Sequence, residues 1–174
     1  MSHNLELIIS RLGDYAVARH YAGYDPYDSL NSPLAGLLTL GTRWGRIALT
    51  QLGRRSPVNL RPLLLVRPGV NPKALALFLE GYAGLHSAGL ATEDGVARMR
   101  DLVRLLAASR SPGYAGNAWG YNFPWQNRWQ CLPRYTPTIV NSAFVGHALL
   151  DCYDATGDDE ALQLAWSIPE FMLS

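Results

Sequence analysis

Apolar positions recur at three- and four-residue steps along most of the chain, and no stretch alternates strictly between apolar and polar. From Asn4 to about Tyr21, the residues Leu5, Ile8, Leu12, Tyr15 and Ala16 form one face of an amphipathic helix, with Glu6, Arg11 and Asp14 turned elsewhere. The segment Ala22–Pro33 is rich in Gly, Pro, Asp, Asn and Ser and reads as a loop, because Pro26 and Pro33 disfavour helix in the residues before them. Ser32-Pro33 then predicts a helix start, with Leu37, Leu40, Trp44, Ile47 and Ala48 carrying one helix to about Gly53. The run VNLRPLLLV after Pro57 predicts one or two further helical turns.

Two stronger units follow. Asn71-Pro72 caps a helix that is apolar on nearly all sides, and Gly89 stops it with Leu90 placed for the contact that accompanies a glycine C-cap. Thr92-Glu93-Asp94 opens an amphipathic helix with a stripe of Val96, Met99, Val103 and Leu106, while Arg98, Asp101 and Arg104 face away. After a long loop the same grammar returns. Thr136-Pro137 caps an apolar helix holding Ile139, Val140, Ala143, Phe144 and Leu150. Gly157 ends it, and Asp158-Asp159-Glu160 opens a last helix that Pro169 ends or kinks near Ile168. The expected class is all-α, as one domain over residues 1–174 built of stacked antiparallel hairpins. Tight turns near Gly89 and Gly157 fall at one end and the long loops 22–33 and 111–136 at the other, the pattern of a partial (α/α) toroid. About three hairpins are present, and at roughly 50–60 residues each a closed ring of six would need about twice this length. The expectation is therefore the N-terminal half of a larger toroid, or an open edge covered by self-association or a partner.

Composition narrows the function classes. Hydrophobic residues are 48% and charged residues 17% of the 174, with a formal net charge of +1, so nothing favours nucleic acid or an anionic membrane surface. Lys73 is the only lysine. Cys131 and Cys152 have no metal-ligand spacing and are expected as buried free thiols. No apolar run reaches the roughly 18 residues of a membrane span, and the N-terminus lacks the basic start and apolar block of a signal peptide, which makes the cytoplasm the default location. No phosphate loop, dinucleotide fingerprint or zinc spacing appears, so no cofactor or metal is expected. Ser142 lacks the surroundings of a nucleophile.

The stretch that stands apart is Ser111–Thr136, which holds three of the five Trp, three Tyr and one Phe without any sustained period. A loop this long in a compact domain is usually functional, and its aromatic content argues against disorder. Trp119, Tyr121, Trp125 and Trp129 offer faces for the C–H surfaces of sugar rings, and Asn122, Gln126, Asn127 and Arg128 interleave hydrogen-bonding groups suited to hydroxyls. A loop pinned by its own aromatics is the competing reading. Tyr24, Tyr27 and Tyr135 extend the set of binding candidates. Asp25 and Asp28 in the first long loop are the catalytic candidates, since glycosidic chemistry needs one carboxyl as acid and another as base, although Asp beside Pro also caps turns. Asn141, near the loop end of its helix, is a site candidate, and His147 is expected as a core histidine.

The segments GYDPYDSLNSP, WGYNFPWQNRW and YTPTIVNSAFVGHALLDCYDATGDDEAL resemble the N-terminal half of bacterial α/α-toroid proteins found with polysaccharide-biosynthesis genes. Those proteins are similar in fold to six-hairpin glycosidases and to the helical domain of glucuronyl C5-epimerases. The resemblance implies a carbohydrate-binding or carbohydrate-processing protein of glycosidase, lyase or epimerase type, with a saccharide as ligand. Members of the group are often labelled delta-aminolevulinic acid dehydratase. That enzyme is a β/α barrel with Schiff-base lysines, whereas this chain shows no strand pattern and has Lys73 alone. The rival class is a non-catalytic helical assembly module.

Overall fold

The computed structural model describes residues 3–174, the side chains of His3 and Glu6 excepted. The polar position Glu6 therefore lies outside the described side chains. The elements are α1 (His3–Val17), β1 (Ala22–Gly23), a 3₁₀ turn (Asp28–Asn31), α2 (Ala35–Thr39), α3 (Arg43–Arg55), β2 (Gly69–Val70), α4 (Pro72–Ser87), α5 (Gly95–Ala108), β3 (Trp125–Gln126), β4 (Cys131–Leu132), α6 (Ile139–Thr156), α7 (Asp159–Trp166) and α8 (Ile168–Leu173). The fold is all-α apart from two antiparallel two-residue ladders, β1 with β2 and β3 with β4.

Helices α4 to α8 form the core. Leu75, Ala76, Leu79 and Ala83 of α4 meet Met99, Leu102, Val103 and Leu106 of α5, and Val145, Ala148, Leu149 and Cys152 of α6 join Ala161, Leu164 and Ala165 of α7. Of the roughly three expected hairpins, two are formed, α4 with α5 and α6 with α7. Asn71 Oδ1 accepts from the Lys73 amide at 3.1 Å to cap α4, and Leu90 N donates back to Leu85 O at 2.8 Å past the left-handed Gly89. Asp158 Oδ1 caps α7 by accepting from Glu160 N and Ala161 N. The cap of α6 falls two residues later than expected. Thr138, not Thr136, accepts from Asn141 N at 3.1 Å, because Pro137 is taken up in a β-bridge with Gly120.

Five further expectations need correction. The helix from Ser32 to Gly53 is two helices, broken where Leu40 and Gly41 both take positive φ and Thr42 recaps the chain. The run from Val58 to Val66 forms turns rather than helix. In α6 the residues Ile139, Val140, Phe144 and Leu150 are exposed, and the buried face is Asn141, Ser142, Val145, Ala148, Leu149 and Cys152. His147 is exposed too, so it is no core histidine. Among the described side chains of α1 only Gly13 and Ala16 are buried, and Leu5, Ile8, Leu12 and Tyr15 stand uncovered. The reason is close approach. A Cβ on Gly13 would lie 2.9 Å from Tyr82 Oη, and Arg98 of α5 bonds Asp14 at 2.8 Å, so the glycine edge of α1 faces α4 and turns the leucines outward. Cys131 is half-buried and Cys152 buried, both as free thiols. Among the described residues no helix is long and apolar enough to cross a membrane.

This burial pattern sets a contrast in stability. Leu79→Ala removes a fully buried side chain and is expected to cost about 2–5 kcal/mol in urea unfolding, whereas Ile8→Ala on the uncovered stripe shifts stability by less than about 0.5 kcal/mol. Equal losses for the two variants would contradict the orientation of α1.

Candidate functional site

The two long loops meet at one end of the helices. Asn31 Nδ2 donates to Asn122 O at 3.2 Å, and Asn71 Nδ2 at the head of α4 donates to Asp25 Oδ2 at 3.1 Å. The first loop is held from within by a buried ion pair. Arg61 Nε donates to Asp28 Oδ1 at 2.8 Å, its Nη2 to Asp25 O at 2.7 Å and its Nη1 to Gly53 O at 3.4 Å, while Asp25 N donates to Asp28 Oδ2 at 3.0 Å. Asp28 is 4% exposed. Burial pushes its carboxyl above the ordinary range, and the Asp25 amide and Arg61 pull it partly back. Asp28 is thus a structural anchor, paired with Arg61 and accepting from the Asp25 amide. Its carboxylate is committed to Arg61, while Asp25 and Asp28 both line the smaller cavity described below.

The second loop divides into anchors and wall. Trp119 is 0% exposed; its indole donates to Leu106 O at 2.8 Å and its amide to Ser142 Oγ at 3.1 Å. A ring with no open face cannot stack on a ligand, so Trp119 leaves the binding set. Gln126 is also an anchor: Oε1 accepts from Arg46 Nε at 2.6 Å, and Nε2 donates to Asn127 O and Gln130 O, closing the β3–β4 hairpin. Arg128 and Trp129 project from that hairpin as a cation–π pair 5.3 Å apart, away from the cleft described below. Tyr135 is exposed at φ +61°, and its amide donates to Tyr121 O at 2.7 Å. Asn141 is buried, and its side-chain amide has no hydrogen-bond partner among the described residues. It lines neither cavity at this end.

Four of the sequence candidates converge. Asp25, Tyr27, Tyr121 and Trp125 line a cleft of about 480 Å³ together with Asn71, Lys73, Leu77 and Phe123. Tyr121 stacks on buried Phe123 with centroids 4.9 Å apart and meets Trp125 edge-on at 6.2 Å, which fixes the aromatic wall. Burial, then Asp25 and Tyr27, push the Tyr121 phenol up, so it remains a neutral O–H donor at physiological pH. Asp25 faces this wall with Oδ1 accepting from Tyr27 N at 2.9 Å and Oδ2 from Asn71. A carboxylate has about four lone-pair sites, so two stay open for hydroxyl donors. On the other side of Asp25 and Asn71 lies a smaller cavity of about 210 Å³, lined among others by Tyr24, Asp28, Arg67 and Asn122. Tyr24 and Asn122 therefore belong with Asp25, but not on the aromatic cleft.

Sequence reasoning missed Asn71, Lys73 and Phe123. The first two were legible as the opening of α4, a helix start at the same end as the long loops. Phe123 carried no signal beyond its place in an aromatic-rich stretch. The chain matches no protein-family model, no curated protein and no solved structure, so its function has to be argued from the site itself.

Breaking the anchor tests its role. Asp28→Asn leaves a buried guanidinium unpaired and is expected to cost about 3–5 kcal/mol of unfolding free energy. A loss below about 1 kcal/mol would show that the Arg61 pair does not hold the loop.

Proposed function

We propose that the chain is a carbohydrate-binding helical protein built as a partial (α/α) toroid, with its sugar site in the Asp25–Trp125 cleft. The observation that carries the reading is the convergence of one carboxylate, one carboxamide and a fixed aromatic wall on a single open cleft. Trp125 is 36% exposed, so part of its ring is free to cover an apolar sugar face, while Asp25, Asn71 and the Tyr121 hydroxyl supply groups for ring hydroxyls. The α4–α5 and α6–α7 hairpins, with their long loops at one end, support the toroid arrangement, and the link to glycan biosynthesis rests on the resemblance of the loop and α6 segments. Only Asp25 of the expected pair opens on the cleft, which favours binding, or processing by a single base, over two-carboxylate hydrolysis. Titration of a panel of hexose and uronic-acid oligosaccharides by calorimetry tests this. Trp125→Ala is expected to weaken the best ligand roughly tenfold or more without lowering the unfolding midpoint. Absence of binding across the panel would overturn the reading.

A second reading, an assembly module, is favoured by a separate observation. Leu5, Ile8, Leu12 and Tyr15 of α1 are exposed, Leu12 lines an apolar groove together with Leu77 of α4, and exposed apolar surface of this kind marks interaction sites. Light scattering is then expected to report a self-associated species that Leu12→Glu dissociates. A stable monomer at all concentrations would count against self-association.

A further inference from the structure

We infer that the cleft takes an anionic saccharide, one whose carboxylate or phosphate is held by Lys73. This rests on the sugar-binding reading above and adds the charge of the ligand to it. Lys73 is half-buried in the wall of the cleft, and its ammonium sits 4.0 Å from the ring centroid of Phe144 on the neighbouring helix α6. Among the described residues no carboxylate lies within 4.0 Å of it and no side-chain or backbone acceptor receives its protons. The obvious internal partner is Asp25, the one carboxylate on the same cleft. Its oxygens are turned to Tyr27 N and Asn71 Nδ2 instead, so the two charges line one cavity without neutralising each other.

That arrangement has a chemical reading. An ammonium carries three N–H donors, and its hydrogen bond to an anion is charge-assisted and stronger than one to a neutral acceptor. The aromatic face of Phe144 steadies the charge but accepts no conventional hydrogen bond, leaving the donors unspent. Every ion pair among the described residues uses arginine: Arg61, Arg98 and Arg104. Among the described residues Lys73 shares the lack of an ion-pair partner with several arginines, but it is the cation that lines this cleft, where a ligand would stand. A sugar lying on Trp125 and Tyr121, its hydroxyls on Asp25, would bring an acidic substituent to the α4–α6 side of the cleft. A uronate carboxylate and a sugar phosphate share this chemistry.

Calorimetry with three matched ligand sets separates the outcomes: uronate-containing oligosaccharides, their carboxyl-reduced neutral counterparts, and hexose phosphates. One acidic set is expected to bind about tenfold tighter than the neutral set, the contribution of one charge-assisted hydrogen bond, and the advantage should shrink as salt is raised. Lys73→Met removes that advantage, so that the acidic and neutral sets bind alike, whereas Trp125→Ala weakens both sets and keeps their ratio. Because the chain has one lysine, ¹³C-lysine labelling gives a single Cε resonance, which is expected to shift on adding the acidic ligand and stay put with the neutral one. Equal affinity for acidic and neutral ligands, or an acidic preference that survives Lys73→Met, overturns the inference while leaving the sugar reading intact. Failure of every saccharide to bind overturns both.

Discussion

The site end of this protein depends on one buried guanidinium. Arg61 enters from a stretch with no regular structure and satisfies three acceptors at once: the Asp28 carboxylate, the Asp25 carbonyl and the end of α3 at Gly53. Taking a charge from water is expensive, and it is tolerated here because the partners are themselves fixed and few donors are left idle. The planar fork of arginine suits this task in a way lysine could not. With the loop so clamped, Asp25 is delivered to the cleft by its backbone, and its side chain needs only Tyr27 N and Asn71 to hold its direction.

The aromatic loop follows the same division of labour. Trp119 lies in the core between α5 and α6, with its indole proton spent on a helix carbonyl, and Asn117 ties the same stretch to Leu164 and Ser167 at the end of α7. These fixed points let Tyr121, Phe123 and Trp125 stand as an ordered wall without help from secondary structure. The two readings of this stretch, ligand wall or self-pinned loop, describe different residues of it. Trp119 and Gln126 pin; Tyr121 and Trp125 face the opening.

How much was legible beforehand differs by level. Caps at Asn71 and Asp158 and stops at Gly89 and Gly157 are local chemistry, so the hairpins could be read directly. The shared end of the two loops followed from loop lengths alone. The buried faces of α1 and α6 could not be read, for a physical reason. Helix α6 is apolar nearly all round, so periodicity singles out no face, and packing chose the smaller residues Ser142, Ala148 and Cys152 for close approach to α4 and α7. In α1 a glycine and an alanine won over four larger residues, because interhelical distance, not hydrophobicity, decided which edge could dock.

The sequence by itself determined the helical class, the positions of the hairpin turns and the concentration of aromatics and acids in two loops, since each rests on interactions spanning a few residues. Only the tertiary structure decided which acid stays free and which is consumed. Asp25 and Asp28 are three apart and chemically identical. Arg61, 33 residues beyond Asp28, buries one as a counter-ion, while Asn71 and Tyr27 leave the other open to the cleft. Lys73 gained its place in the same way, as a helix-start residue given meaning by Phe144 and Trp125 from distant parts of the chain. Local rules cannot see such pairings, because they are set by which surfaces the packed helices bring together.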